Sequence, residues 1–170
     1  MGNSIRSIAA ITLTCAMAMA VFTDEAVGQS ERALQTLAEV RNDYDPAADP
    51  FAELEAARVT AAEENKHILV VAGGDWCIWC LYLHDFLASE PALNKSLKDT
   101  FVVVKIYFGP ATDNDEFFST LPEAAGYPHF WILNADGAVL ESQNTLPLED
   151  GDKSYDRDSF IAFIDQWRER

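Results

Sequence analysis

Apolar residues follow two different periods along this chain. ILVVAGG, Ile68 to Gly74, is a short β-branched run closed by two glycines, and it predicts a buried strand at about 68–72. FVVVKIYF, Phe101 to Phe108, is the strongest strand pattern, and Gly109-Pro110 ends it. YPHFWIL, then NADG, then AVLES reads as strand, turn and strand, with Asp136-Gly137 supplying the turn chemistry of a hairpin. Helical spacing fills the intervals. FAELEAARVTAAEENK from Phe51 is rich in Ala and Glu. WCLYLHDFLAS offers Leu81, Phe86 and Leu87 for packing, and ALNKSLKDT after Pro91 predicts a short helix. DNDEFFSTLPEAAG predicts a helix opened by Asp113 or Asn114, with acidic first-turn residues that suit the helix dipole. LPLEDGDKSYD reads as a polar loop, its acidic residues lacking the spacing of a calcium loop. In DRDSFIAFIDQW, residues Phe160, Ile161, Phe163, Ile164 and Trp167 form one apolar face. Strands alternating with helices predict an α/β fold, a layered sheet covered by helices on both faces.

The N-terminus follows other rules. Arg6 precedes an apolar run from Ile8 to Val21, the length of a secretory h-region and short for a membrane span. Small residues near Ala18 to Ala20, or at Gly28, offer cleavage sites. Residues 1–28 are therefore expected to be a signal peptide and 29–50 a helical extension and linker, with Leu34, Leu37 and Val40 on one face and Pro46 and Pro50 as breaks. Residues 51–170 form the main domain. This order predicts a periplasmic or secreted protein with no membrane insertion once the signal is cleaved; an uncleaved anchor is the alternative.

Composition narrows the function. The 170 residues carry 28 acidic and 12 basic side chains, a formal net charge of −16. So few cations disfavour nucleic acid as a partner, and anionic lipid likewise. A hydrophobic content of 49% argues against bulk disorder.

Of three cysteines, Cys15 lies in the signal, which leaves Cys77 and Cys80 in GGDWCIWC. Outside the cytosol disulfides persist. Cys77 falls where a strand's exit loop meets a helix N-terminus, and free N–H groups and the helix dipole there favour a thiolate, the nucleophile of disulfide exchange. Cys80, one helical turn on, can attack a mixed disulfide and release the partner.

These residues resemble the thioredoxin superfamily, and within it secreted proteins with a WCxWC motif. Trp76-Cys77-Ile78-Trp79-Cys80 follows an apolar strand, and Gly126-Tyr127-Pro128 precedes His129-Phe130-Trp131-Ile132-Leu133. The resemblance covers about residues 50–170 and implies a thioredoxin-like fold, a central mixed sheet flanked by helices. It implies Cys77 and Cys80 as catalytic residues, and Pro128 as a cis-proline that with Tyr127 and Trp76 binds the partner's strand. Lys105 matches a lysine near the site and would favour the Cys77 thiolate. The pattern departs from relatives in three places. Val71 stands where cytosolic thioredoxins carry a buried Asp, Ile78-Trp79 replaces Gly-Pro, and Leu81 follows the second cysteine.

The expected function is extracytoplasmic thiol-disulfide oxidoreductase. Its partners are client proteins with thiols or disulfides and a redox protein for recycling; no organic cofactor and no metal are implied. The alternatives are a non-catalytic binding or chaperone-like module and a metal-handling protein using Cys77, Cys80 and a histidine, His84 being four residues beyond Cys80. A structural disulfide across so short a loop would remove little chain entropy.

Overall fold

Asp49 starts the first helix. Its carboxylate accepts the N–H groups of Phe51 at 3.0 Å and Ala52 at 3.4 Å, and Pro50 occupies the first turn, where no N–H is needed. This helix, α1 (Pro50–Glu64), closes at Asn65, whose backbone is left-handed (φ 52°, ψ 50°). The computed structural model describes residues 44–168, so the expected signal and most of the extension lie outside the described residues.

After α1 come β1 (His67–Gly73), α2 (Ile78–Ser89), α3 (Pro91–Thr100), β2 (Phe101–Tyr107), α4 (Asp115–Phe118), β3 (His129–Leu133), β4 (Val139–Asn144), a 3₁₀ turn at Leu146–Leu148 and α5 (Arg157–Arg168). The sheet order is β2-β1-β3-β4. β1 runs parallel to β2, with Val71 opposite Lys105, and antiparallel to β3, with Val71 opposite Phe130. The β3–β4 hairpin turns at Asn134–Ala138, where Asn134 Oδ1 accepts the Ala138 N–H and Gly137 takes the φ of 84° that the turn requires.

The period-two alternation of the strands separates two cores. Leu69, Val71, Phe101, Val103, Phe130 and Ile132 face α2, α3 and α5, whose Leu83, Phe86, Leu97, Phe160, Phe163 and Trp167 cover them. Ile68, Val70, Val102, Val104, Ile106 and Trp131 face the other way, under Ala57 and Ala61 of α1 and Phe117 of α4. Helices on both faces explain why β1 reads as one unbroken apolar run. Each large side chain buried this way contributes about 1.5–3 kcal/mol.

Three local expectations change. The helix expected across DNDEFFSTLPEAAG shrinks to the four residues of α4. The Ser119 and Thr120 hydroxyls bond back to the carbonyls of Glu116 and Phe117, and Pro122 follows, so the backbone turns away instead of propagating. Leu81, expected to pack, is 42% exposed, whereas Phe86 is buried. The polar loop after β4 buries Leu148 and Tyr155 and is closed by a bridge between Glu149 and Tyr155. Its Asp150 accepts the N–H groups of Asp152 and Ser154, so this carboxylate organises its own loop. No described helix is long and apolar enough to cross a membrane.

Candidate functional site

β1 delivers the chain to the C-terminal edge of the sheet, where Gly73 accepts the Phe108 N–H at 2.8 Å and holds the two strand ends together. The chain then turns through Gly74, which accepts the Cys77 N–H at 3.0 Å. Cys77 is the N-cap of α2, and its sulfur accepts the Cys80 N–H at 3.2 Å, as a capping oxygen would. Cys77 and Cys80 form a disulfide with Cα atoms 5.2 Å apart. Both are largely buried, at 6% and 3% exposure.

The two tryptophans of the motif take opposite roles. Trp76 is 47% exposed and its indole N–H donates to the Phe108 carbonyl. The ring lies against Gly74 and Gly109, where any Cβ would overlap it. Its edge meets the Tyr127 ring at 5.7 Å, and Tyr127 stacks on Phe108 at 4.7 Å. Trp79 instead turns inward and packs edge-on against Tyr82 and Tyr155. Trp76, Ile78 and Leu81 therefore form an exposed apolar rim beside the disulfide.

The Tyr127-Pro128 peptide is cis. Tyr127 thus joins the rim through Trp76, and burial pushes its phenol above the ordinary range, with Asp115 adding to the shift. The Pro128 carbonyl accepts the Thr145 hydroxyl at 3.3 Å. Tyr155 stands 3.5 Å from Thr145 Oγ1 and donates to the Trp79 carbonyl at 3.1 Å. A chain of polar contacts therefore runs from the first turn of α2 to the carbonyl of Pro128. Burial holds the Tyr155 phenol well above the ordinary range, so it remains a donor.

Lys105 follows Phe101 and Val103 in the β2 alternation and projects to the face that carries α2. Its ammonium lies over the Tyr44 ring, 5.3 Å from the centroid. Tyr44 in turn reaches Gly73, where an added Cβ would overlap both the Tyr44 hydroxyl and Cys80 Sγ. The lysine thus meets the site through an aromatic ring.

Sequence reading missed Tyr44, Thr145 and Tyr155. A lone tyrosine inside a polar stretch was the available signal for the first and the last. The histidines are dispersed. His67 sits edge-on to Trp167, His84 is exposed on α2, and His129 is buried with Nε2 2.9 Å from Ser142 Oγ. Burial lowers His129 to about 4. Among the described residues no three His, Cys, Asp or Glu side chains cluster as metal ligands.

A family model described as thioredoxin-like matches residues 49–135, more than half of the chain, and the chain belongs to that family. Two solved structures are similar. One is a disulphide isomerase from Xylella fastidiosa Temecula1, with a TM-score of 0.61 and 26% identity over 72% of this chain and 94% of the other. The second is the C-terminal domain of DsbD from Neisseria meningitidis in its oxidised form, with a TM-score of 0.53 and 20% identity over 71% and 97% of the two chains; this likeness concerns the fold. A comparison with curated protein sequences found no match.

Proposed function

We propose that this protein is a thiol-disulfide oxidoreductase that exchanges protein thiols and disulfides through Cys77 and Cys80. The observation that carries the proposal is the disulfide at the start of α2, with Cys77 as N-cap and its sulfur receiving a backbone N–H. A thiolate formed there gains the N–H donor and the helix dipole. Cys77 is the attacking residue and Cys80 resolves. Trp76, Tyr127 and Pro128 hold the client's extended segment, and main-chain pairing beside Pro128 would give affinity without demanding one client sequence. Electrons travel as exchanged sulfur–sulfur bonds, so no organic cofactor is needed. The likeness to a disulphide isomerase from Xylella fastidiosa supports the same chemistry.

The reading extends to the cell. Residues 1–28 act as a secretory signal, 29–50 as an extension and 51–170 as the redox domain, working in the periplasm or outside the cell with a partner protein that resets the pair.

Two variants test the chemistry. Cys80→Ser leaves the attacking sulfur and removes the resolving one, so it should accumulate mixed disulfides at Cys77 with client proteins. Cys77→Ser should accumulate none. If Cys80→Ser forms no adducts while the wild-type pair fails to equilibrate with glutathione, the binding-module reading replaces the enzyme. The equilibrium potential then assigns direction, since about −270 mV marks a reductant and about −120 to −180 mV an oxidant or isomerase.

A further inference from the structure

The hydroxyl of Tyr44 is buried and has no hydrogen-bond partner among the described residues. An enclosed donor left unpaired costs about 1–3 kcal/mol, so such a group calls for an explanation. Tyr44 as a whole is half-buried, and its hydroxyl end is the enclosed part. That end converges with Cys80 Sγ on Gly73, where a Cβ would overlap both. Val71 and Gly73 of β1, on this side, bring no side-chain donor, while Lys105 of β2 projects to the same face.

The disulfide is one of two states. A sulfur in a disulfide is a weak acceptor, whereas a thiolate is a strong one. Cys80 is 3% exposed, so water cannot solvate a charge on it, and an unpaired buried charge is expensive. Its own N–H is already directed to Cys77. We infer that the Tyr44 hydroxyl is the hydrogen-bond donor for the Cys80 sulfur in the reduced pair, a donor set in place in the oxidised protein and used when Cys80 resolves. Burial, with Tyr155 and Asp75 adding to it, holds the Tyr44 phenol far above its ordinary range, so the group donates and keeps its proton. Lys105 over the ring adds positive charge on the same side.

The inference rests on the thiol-exchange reading, and the step balances as follows. Cys77 Sγ is bonded to a client sulfur, and Cys80 is a thiol that releases its proton to water. The Cys80 thiolate, accepting from Tyr44, attacks Cys77 Sγ. The Cys77–client bond breaks, its electron pair leaves on the client sulfur, and that sulfur takes up a proton. The protein's pair is oxidised by two electrons and the client disulfide is reduced by two. The same donor serves the reverse step, in which Cys80 is the leaving group.

Tyr44→Phe removes the donor and retains the ring. The oxidised variant should melt no lower than wild type, because the lost hydroxyl was unpartnered. The reduced form loses a stabilising bond, so the disulfide of the variant should resist glutathione about threefold to tenfold more, a potential lower by about 15–30 mV. In a Cys77→Ala background, the pH profile of Cys80 alkylation, read on the Cys80 peptide by mass, should move to higher pH when Tyr44→Phe is added. A wild-type pair that exchanges with glutathione, beside a Tyr44→Phe variant with the same potential and the same alkylation profile, overturns this role and leaves the enzyme reading intact. A wild-type pair that never exchanges overturns both.

Discussion

The hydroxyl of Tyr155 donates to the carbonyl of Trp79 at 3.1 Å, across 76 residues of sequence. That carbonyl lies in the first turn of α2, between the two cysteines. The contact ties a loop that reads as solvated to the helix end that carries the redox pair. Tyr155→Phe should cost about 0.5–1.5 kcal/mol in a denaturant melt of the oxidised protein, the usual net worth of one hydrogen bond, since the Trp79 carbonyl keeps its place in the helical ladder. Tyr155→Ala should cost more, about 3–5 kcal/mol, since the ring also packs on Trp79, Phe86 and Phe160. A Tyr155→Phe variant as stable as wild type would mean that the hydroxyl contributes nothing.

Gly73 sits where two side chains crowd, and a Cβ there would meet Cys80 Sγ and the Tyr44 hydroxyl, the latter at 2.8 Å. Gly73→Ala should therefore lower stability by about 1–3 kcal/mol through overpacking. Because one of the crowded atoms is a sulfur of the disulfide, the fraction of protein in the disulfide form at a fixed glutathione ratio should change as well. A variant as stable as wild type would show that α2 can shift away at little cost.

The features readable in the sequence are those set by local pattern. The strands around Val71, Val104 and Trp131 announce themselves because both faces of the sheet are covered, and buried strands need apolar residues at every position. The Cys77-to-Cys80 spacing and Pro128 are short motifs whose context, strand before helix and proline before strand, could be checked in one dimension. Tyr44 and Tyr155 were hidden because their value lies in contacts with residues far along the chain, Lys105 and Trp79, which no periodicity encodes. The shortened α4 was misread because its acidic start satisfies the rules for a helix N-terminus, while Ser119, Thr120 and Pro122 act on the continuation.

Trp76 links two loops through its N–H to Phe108 and its contact with Tyr127. It is about half exposed, so Trp76→Ala should lower global stability by only about 1–2 kcal/mol. The proposed client groove would lose its wall. Exchange with a folded or peptide disulfide should then slow by about tenfold or more, while exchange with glutathione, which needs little surface, should change far less. Equal slowing of both would place Trp76 in the chemistry of the cysteines and not in client binding.

His129 follows Pro128 directly and is enclosed between Trp131, 4.5 Å away by ring centroids, and Ser142, its hydrogen-bond neighbour. Burial lowers it from 6.5 to about 4, which has a definite sign for stability. Above pH 6.5 the ring is neutral in both folded and unfolded chains, and its contribution is constant. As pH falls from 6.5 towards 4 the unfolded chain binds a proton that the folded one refuses, so stability is lost across that window. One such group accounts for a slope of at most about 1.4 kcal/mol per pH unit. His129→Gln keeps a polar partner for Ser142 and cannot titrate. Denaturant melts of both proteins between pH 7 and pH 4.5 should show wild type losing stability faster than the variant, the excess beginning near pH 6.5. Parallel curves would mean that His129 gains its proton in the folded state at an ordinary pH, and that the strand after Pro128 opens to water more readily than its burial implies.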